Sequence, residues 1–325
     1  MRAWIQNGYG TSDVYELQQI KQPVPKNHEV CVKVMATAVN DWEWGVLEAP
    51  LPVRLVLGMR KPHGRFRIMG CDMAGVVEST GSSVTTFKPG DAVYGDLSGY
   101  RFGAFAEYVC VNEKSLAIKP ATLSFEQAAA IPHAAELALQ AIQKANPLQP
   151  GQRVLVNGAG GGVGTQAIQL LRQYGVETTA VDNGDKLALL KSLGYDHVID
   201  YRDVDFTNTG QRYDFILDTK TSRTVADYAR ALNPGGVYAT VGGKKIFRFM
   251  LRAIISKWFY HGSFKLVGLK PNKNLQHINQ LIGAGVLQPT LDGPYRFDEI
   301  PAQLERFRRG EHLGKIVIAL DAHAA

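Results

Sequence analysis

The feature that most constrains this chain is an apolar run that leads directly into clustered glycines between residues 153 and 165. The β-branched residues before the glycines predict a strand over 153–158. After them, apolar residues at helical spacing predict a helix over 165–174 that Gly175 ends. A strand, a tight glycine turn and a helix form the geometry that binds a dinucleotide pyrophosphate, because glycine lets the backbone approach the phosphates and the helix N-terminus offers free N–H groups. The residues predicted to line this turn are Gly158, Gly161, Gly162, Val163 and Gly164.

The spacing of these glycines departs from the dinucleotide fingerprint G-x-G-x-x-G. In the usual register its first position is Ala159, with Gly161 and Gly164 in the other two, whereas Gly158, Gly161 and Gly164 form G-x-x-G-x-x-G. A lone glycine pattern is a weak signal, and the alternative is a loop that merely joins a strand to a helix. The strand on one side and the helix on the other favour the phosphate-binding turn.

Composition disfavours several other classes of protein. The chain has 325 residues, 45% of them hydrophobic, which predicts a folded protein of about two domains. The net charge of +6 is not concentrated in tails, so nucleic acid is not the predicted partner. The first residues begin a strand and not a signal peptide, and no stretch is apolar enough to span a bilayer. The cysteines are distant from one another and form no C-x-x-C, which argues against a disulfide framework and, with the rest, predicts a cytoplasmic location; they are Cys31, Cys71 and Cys110.

Two kinds of pattern divide the chain. Up to about residue 120 it has short strands and close glycine turns, as in a small β-barrel or rolled sheet. From residue 153 strands and helices alternate, which predicts an α/β protein with a doubly wound parallel sheet. A final strand at 315–319 has no partner by spacing in the α/β half, so we expect it to return to the first domain. The α/β strands are predicted at 153–158, 177–181, 197–200, 213–218, 236–241 and 264–269, with helices at 165–174, 185–192 and 223–232.

Residues 246–260 have an unusual distribution of charge. Apolar and aromatic residues recur there at helical spacing and basic residues share the opposite face, which predicts a basic amphipathic helix. Two interpretations stay open. The helix packs over its own cleft or a dimer face, or it makes a peripheral contact with a membrane or a lipid-like substrate.

Short motifs along nearly the whole chain resemble those of the medium-chain dehydrogenase/reductase superfamily, of the zinc-independent quinone-oxidoreductase type to which zeta-crystallin belongs. The resemblance implies a GroES-like, β-rich catalytic domain over 1–121 and 272–325, interrupted by a dinucleotide-binding Rossmann domain over 122–271. It also implies an active site in the cleft between these domains and a homodimer joined through the strand at 264–269. The motifs are Ala38–Asn40, Gly70–Val77, Pro89–Gly95, Gly103–Tyr108, the glycine turn, Ser192–Tyr201, Pro234–Gly236 and Gly314–Ile318.

Metal binding is weighed against the same family. Its zinc-dependent members have a cysteine near position 40 and a Gly-His-Glu turn at the catalytic zinc, where this chain has Asn40 and Gly70-Cys71-Asp72. Zinc needs three or four converging ligands, so the prediction is that no metal is bound. Without that Lewis acid, oxidation of simple alcohols is disfavoured. The alternative metal set consists of Cys71, Asp72 and His63.

The predicted cofactor is a nicotinamide dinucleotide, and two signals disagree about which one. Asp182, at the end of the second α/β strand, is placed to accept hydrogen bonds from the adenosine ribose, which favours NADH. NADPH-using relatives carry a lysine and a tyrosine where this chain has Lys186 and Tyr201, which would bind the 2′-phosphate, although Lys186 is otherwise an ordinary solvated lysine. Asn183 stands where the family often has a small polar residue. The interpretation is NADPH, with NADH as the alternative, and the further predicted cofactor contacts at strand ends are Thr219, Gly242 and Gly243.

Three residues are predicted to be catalytic. The family places Asn40 beside the nicotinamide, where its amide donates to the substrate oxygen or positions the ribose; the alternative is an asparagine that bonds its own turn. His133 lies where relatives pass close to the nicotinamide, and it either donates a proton or orients its loop. Tyr100 sits in a loop predicted to line the cleft as an acid or a lid.

Together these features predict an NADPH-dependent, zinc-free oxidoreductase that transfers a hydride to a small apolar quinone or α,β-unsaturated carbonyl compound. Reduction of simple carbonyl compounds to alcohols is an enzymatic alternative. A second alternative belongs to a different class: a cofactor-binding sensor or interaction protein with little turnover, because a fold does not by itself imply catalysis.

Overall fold

The computed structural model describes residues 1–243, 249 and 262–320. Among them, the strands are β1 (Arg2–Gln6), β2 (Tyr15–Gln19), β3 (Glu29–Ala38), β4 (Asp72–Thr80), β5 (Ala92–Asp96), β6 (Tyr108–Asn112), β7 (Ala117–Ile118), β8 (Arg153–Asn157), β9 (Glu177–Asp182), β10 (His197–Asp200), β11 (Tyr213–Asp218), β12 (Leu232–Thr240), β13 (Ser263–Leu266), β14 (Leu291–Arg296) and β15 (Lys315–Ala319). The α-helices are α1 (Asp41–Leu47), α2 (Leu51–Leu57), α3 (Phe125–Ala129), α4 (Pro132–Ile142), α5 (Gly162–Leu171), α6 (Leu187–Ser192), α7 (Val225–Arg230), α8 (Leu275–Gly283) and α9 (Ile300–Arg309).

The chain forms two compact units, one of Met1–His133 with Lys270–Ala325 and one of Ala134–Leu269. The first boundary therefore falls inside α4 and not at residue 121. The intervening stretch stays with the first unit because α3 packs against β3 and β4.

The first unit is built on a mostly antiparallel sheet in the order β14-β15-β3-β4-β5-β7, with β6 paired to β3. Along β3 the side chains of Val30, Val32 and Val34 enter the hydrophobic core, as the two-residue period of a strand requires. The last strand, β15, lies antiparallel to β3, with Val317 opposite Ala38. The prediction that the final strand returns to the first domain is confirmed.

The second unit holds a six-stranded sheet in the order β10-β9-β8-β11-β12-β13, in which every neighbouring pair is parallel. The chain reverses its direction of winding between β8 and β11, so the predicted doubly wound sheet is confirmed. Helix α5 begins at Gly162, earlier than the predicted residue 165. Glycine permits this early start, because a Cβ on Gly164 would lie 2.3 Å from the carbonyl oxygen of Ala159.

The strand predicted to join two copies of the chain is β13, which is shorter than the predicted 264–269. It forms one edge of the sheet as far as the described residues show, and dimerisation through it stays a prediction.

The predicted amphipathic helix over 246–260 lies outside the described residues, apart from Phe249. This ring is buried in the second unit against Tyr228, Tyr238 and Phe264. In the described part of the chain, we find no helix with the length and apolar character needed to span a bilayer.

Candidate active site

The first unit contains a buried polar network where the ends of several strands meet. Asn40 follows β3, Asp72 opens β4, Asp96 ends β5 and Lys315 opens β15. The register brings the first three together, because Asp72 lies opposite Ala38 on one side and opposite Asp96 on the other. Lys315 joins them because the Val39 N–H donates to the carbonyl of its neighbour Ile316. We call this cluster, with Asp41, Glu43, Cys71 and His133, the buried polar network.

An ion pair lies at the centre of the network. The Lys315 ammonium is 2.9 Å from Asp72 Oδ2 and also donates to Asn40 Oδ1, and neither partner of the pair is appreciably exposed. Burial lowers the pKa of Lys315, but Asp72, together with Cys71 and Glu43, outweighs burial and raises it. The lysine therefore stays charged inside the protein, which the carboxylate makes tolerable.

The amide of Asn40 is engaged within the protein. Its Nδ2 atom donates to Cys71 Sγ at 3.0 Å and to Asp72 Oδ2 at 3.1 Å, while its Oδ1 accepts from Lys315. The expectation that the amide donates to a substrate oxygen stays a prediction; in this structure its polar atoms bond to Cys71, Asp72 and Lys315. In this structure Asn40 acts as a positioning residue.

Glu43 fixes the backbone around Asn40. Its carboxyl oxygens accept from the N–H of Asn40 at 2.7 Å and from the N–H of Cys71 at 2.9 Å. Burial raises the pKa of Glu43 to about 7. The side chain therefore ties β3 to the turn before β4 without carrying a full charge at neutral pH.

His133 connects the network to solvent. Its backbone N–H donates to Asp72 Oδ1 at 2.9 Å, its Nδ1 is 2.9 Å from Asp96 Oδ2 and its Nε2 is 3.3 Å from Asp41 Oδ1. Burial lowers the pKa of His133, but the hydrogen bonds to Asp41 and Asp96 outweigh burial and raise it to about 10. The ring is therefore an imidazolium at neutral pH. The side chain of Asp41 is 63% exposed, so the three groups run from a buried carboxylate to the surface.

Tyr100 lies apart from this network, and its predicted role as an acid or a lid stays a prediction. Its hydroxyl donates to Glu29 Oε1 at 2.8 Å. Glu29 is the first residue of β3, whereas Asn40 lies just beyond the other end of that strand, after Val39. The length of β3 therefore separates the tyrosine hydroxyl from the network.

A set of possible metal ligands lies within the buried polar network and differs from the set that the sequence suggested. Within the described residues, Cys71, Asp96 and His133 offer ligand atoms that all lie within 4.8 Å of one another, whereas His63 does not take part. In this structure His133 and Asp96 are hydrogen-bonded to each other, and a protonated imidazole has no lone pair for a metal ion. Burial raises the pKa of Cys71 and keeps its sulfur a thiol. A metal ion would have to displace a proton from both the thiol and the imidazolium. The predicted absence of a metal stays a prediction.

In the second unit, the predicted glycine turn lies at the carboxyl end of the parallel sheet. Gly158 follows β8 with a φ of 80°, and a Cβ there would lie 2.1 Å from Thr219 Oγ1. Gly161 is the N-cap of α5 and provides no side-chain cap, so the first N–H groups of α5 are left for another acceptor. The turn is a cradle that side chains would fill, as a pyrophosphate site requires.

A polar cluster missed by sequence reasoning supports this edge. Buried Asp218, at the end of β11, accepts from Asn157 Nδ2 at 2.9 Å and from the Tyr238 hydroxyl at 2.7 Å. Thr221, a residue with a positive φ of 47°, places its hydroxyl 2.7 Å from that of Thr240. The signal available in the sequence was Asp218, a charged residue at the end of an apolar strand. The cluster fixes the segment before the predicted contacts Gly242 and Gly243, since Thr221 also donates to the carbonyl of Gly242.

The residues predicted to select the cofactor lie at the ends of β9 and β10, and two of them neutralise each other. Asp182 accepts from the N–H of Gly160 at 2.8 Å and is 3.5 Å from the Lys186 ammonium, both side chains being buried. Tyr201 is half exposed. Within the described residues, the Oδ1 atom of Asn183 is buried and makes no hydrogen bond, so a polar group is available there to a bound adenosine ribose.

Arg202, a cation that the sequence analysis did not single out, lies beside the turn at Asn183 and Gly184. Arg202 follows Tyr201, and a Cβ on Gly184 would lie 2.6 Å from its Nη2. The guanidinium forms an ion pair with Asp200 at 2.8 Å and stays half exposed. The cradle, the uncapped helix and the polar side chains together fit a dinucleotide.

Two family models of dehydrogenases match parts of the chain. The family model described as "Alcohol dehydrogenase GroES-like domain" matches residues 26–121, and the model described as "Zinc-binding dehydrogenase" matches residues 193–318. The first match confirms the GroES-like fold predicted for the first unit.

Curated relatives match almost the whole chain. The 2-methylene-furan-3-one reductase of Solanum lycopersicum is 32% identical over 336 residues, which cover 98% of this chain and 79% of the relative. The chain belongs to the medium-chain dehydrogenase/reductase superfamily. Within it, the relatives are quinone and enone oxidoreductases, and the chain is an oxidoreductase. The NADPH-dependent alkenal/one oxidoreductase of the Arabidopsis thaliana chloroplast is 30% identical, covering 98% of this chain and 79% of the relative.

A solved structure of this superfamily has the same fold. The quinone oxidoreductase from Coxiella burnetii superimposes with a TM-score of 0.85 at 25% identity, covering 98% of this chain and 99% of that one.

The central ion pair leads to a prediction about stability. Replacing Lys315→Met leaves the buried Asp72 carboxylate without a counter-charge, and we expect the free energy of unfolding to fall by about 3–5 kcal/mol. Adding Asp72→Asn removes the uncompensated charge, so the double variant should recover much of that loss. Chemical denaturation of the four combinations measures the coupling. Lys114→Met, at an exposed lysine of the same unit, is the control and should change little. Simple additivity of the two substitutions would contradict the account.

Proposed function

We propose that the protein is an NADPH-dependent reductase that transfers a hydride to conjugated carbonyl compounds, either α,β-unsaturated ketones and aldehydes or quinones. The observation that carries the proposal is the dinucleotide cradle around Gly158 and α5, in a chain 32% identical to a 2-methylene-furan-3-one reductase. The alkenal/one oxidoreductase and the quinone oxidoreductase named above support the same class of acceptor.

The residues of the cradle would hold the cofactor. The N–H groups at the start of α5 bind the pyrophosphate, and the polar cluster around Asp218 keeps the adjoining strand ends in place. When bound, the nicotinamide supplies the hydride. The protein need only bind it, keep water from it and stabilise the charge that develops on the acceptor oxygen.

The buried polar network would supply the proton. Hydride addition to a conjugated carbonyl leaves an enolate, which becomes the saturated product when it gains one proton. The His133 imidazolium holds a proton between Asp96 and Asp41, and the exposed Asp41 exchanges protons with water. His133 is therefore proposed to pass the proton, while Asn40 and Lys315 fix the strand ends that position it.

The reaction class is tested by following cofactor oxidation by absorbance. The purified protein is mixed with NADPH and one acceptor at a time: a quinone, a conjugated enone, or the saturated ketone with the same carbon skeleton. We expect turnover with the quinone or the enone, little with the saturated ketone, and no effect of a metal chelator.

Three outcomes would contradict the proposal. Preferential turnover of the saturated ketone would indicate a carbonyl reductase. Tight NADPH binding without turnover of any acceptor would indicate a sensor or interaction protein. Loss of activity with chelator, restored by zinc, would indicate a metal, for which Cys71, Asp96 and His133 are the candidate ligands.

The preference for NADPH is proposed from the basic and hydroxyl-bearing side chains near Asn183. Lys186, Tyr201 and Arg202 surround the turn where the adenosine ribose would lie, although Asp182 offsets Lys186 and Asp200 offsets Arg202. A 2′-phosphate brings two negative charges and would draw the half-exposed guanidinium away from Asp200, since a bidentate arginine–phosphate pair is strong.

Arg202→Gln tests this preference. Because a hydrogen bond to a charged group contributes about 1.5–3 kcal/mol, the KM for NADPH should rise about tenfold or more. The KM for NADH should stay within about twofold, because that cofactor has no phosphate for the guanidinium to bind. Steady-state kinetics with both cofactors measures the change. Arg212→Gln, an exposed arginine of the same unit, is the matched control. Equal losses for both cofactors, or a wild-type protein that prefers NADH, would contradict the assignment.

A further inference from the structure

Two of the cysteines lie directly opposite each other on neighbouring strands. Cys31 on β3 is the register partner of Cys110 on antiparallel β6. The sequence separates them widely, so their spacing gave no sign of a pair. Both are free thiols in this structure.

The hydrogen bonds at the two ends of this ladder show which kind of cross-strand pair they form. The Glu113 N–H donates to the His28 carbonyl and the Val34 N–H donates to the Glu107 carbonyl. In an antiparallel ladder, hydrogen-bonded and non-hydrogen-bonded pairs alternate, so the pairs at residues 28, 30, 32 and 34 are of the bonded kind. Cys31 and Cys110 therefore form a non-hydrogen-bonded pair. Such pairs bring Cα atoms to about 4.5 Å, within the range that a disulfide spans.

The sulfur atoms point to the same side of the sheet and interact. Val30 and Val32 enter the core, so Cys31 between them faces the opposite side of β3. There its thiol is 3.7 Å from the carbonyl of Pro23. A hydrogen bond with the Cys110 thiol lowers the pKa of Cys31, while the same hydrogen bond raises the pKa of Cys110. The two sulfurs are thus in direct contact, and the shared hydrogen bond favours one thiolate and one thiol over two thiols.

A cavity gives small molecules a way to the Cys110 side of the pair. It has a volume of about 320 Å³ and is lined by Cys110 and Pro23 among others. Basic side chains also line it, which favours a thiolate; they are Lys21, Arg67 and Arg101. Both cysteines are nearly buried, at 1% and 3% exposure, so a small oxidant reaches them more readily than a protein does.

We propose that Cys31 and Cys110 are a redox modification site that closes to a reversible disulfide when a peroxide enters this cavity. One sulfur of the pair, as a thiolate, attacks one oxygen of hydrogen peroxide, forming an S–O bond as the O–O bond breaks, and the released hydroxide takes a proton to become water. The second sulfur then attacks the oxidised sulfur, the S–O bond breaks and a second water leaves with the proton of the second thiol. The two sulfurs together lose two electrons, and the peroxide gains them.

Cys71 provides the matched control inside the same chain. It is fully buried in the polar network, where it accepts from Asn40, and burial raises the pKa of its thiol. It is therefore expected to react last of the three.

The test is a thiol count on the wild-type protein. Reduced protein is treated with hydrogen peroxide, quenched, denatured and alkylated, and its peptides are mapped by mass spectrometry. We expect the three thiols of the reduced chain to fall to one, with a peptide pair joined through Cys31 and Cys110 that dithiothreitol separates. Cys71→Ala should leave this crosslink intact.

Single variants distinguish the two sulfurs. Cys110→Ser and Cys31→Ser should each stop the reaction at a sulfenic acid on the remaining cysteine that dimedone traps, and the variant that forms it faster keeps the sulfur that reacts first. Retention of three thiols, a disulfide that includes Cys71, or overoxidation of either cysteine without a crosslink would overturn the proposal.

Discussion

A buried ammonium beside a buried carboxylate holds the first unit together at the point where its chemistry is expected. Neither Lys315 nor Asp72 is solvated, so each depends on the other for its charge. Their contact requires β15, near the end of the chain, to lie against β3, which is far from it in sequence. Asn40 and His133 both bond to Asp72, so their orientations follow from this pair.

Local sequence patterns predicted the parts of the fold that depend on local chemistry. The glycine turn, the parallel strands and the return of the last strand were readable because apolar runs, glycines and spacing encode them. The partners within the network were not readable, because Asp96 and Lys315 reach Asp72 only through strand register. The hydrogen bond from Tyr100 to Glu29 was not readable for a related reason, since spacing in a loop does not encode the direction of a side chain. The pairing of Asp182 with Lys186 was not readable either, because the two residues lie on a strand and on the turn after it and not on one helix.

The candidate sites of the two units are built from different groups, backbone in the second unit and charged side chains in the first. The dinucleotide edge of the second unit is made largely of backbone, where Gly158 and Gly164 leave room that any side chain would fill. Such a site can be predicted from the glycines in the sequence, and many enzymes share it. The network of the first unit is made of charged side chains in low-dielectric surroundings, where a single substitution changes which group holds a proton. This difference explains why the sequence indicates the cofactor more directly than the acceptor.

The most direct test of the account follows the hydride itself. NADPH with deuterium at the transferable carbon of the nicotinamide, prepared separately on each face, is incubated with the protein and a conjugated enone, and the product is analysed by NMR and mass spectrometry. The account predicts that one labelled face gives a saturated ketone with deuterium on the β-carbon, while the second new hydrogen comes from water. Deuterium on the carbonyl carbon of an alcohol, or the absence of label from any product, would contradict it.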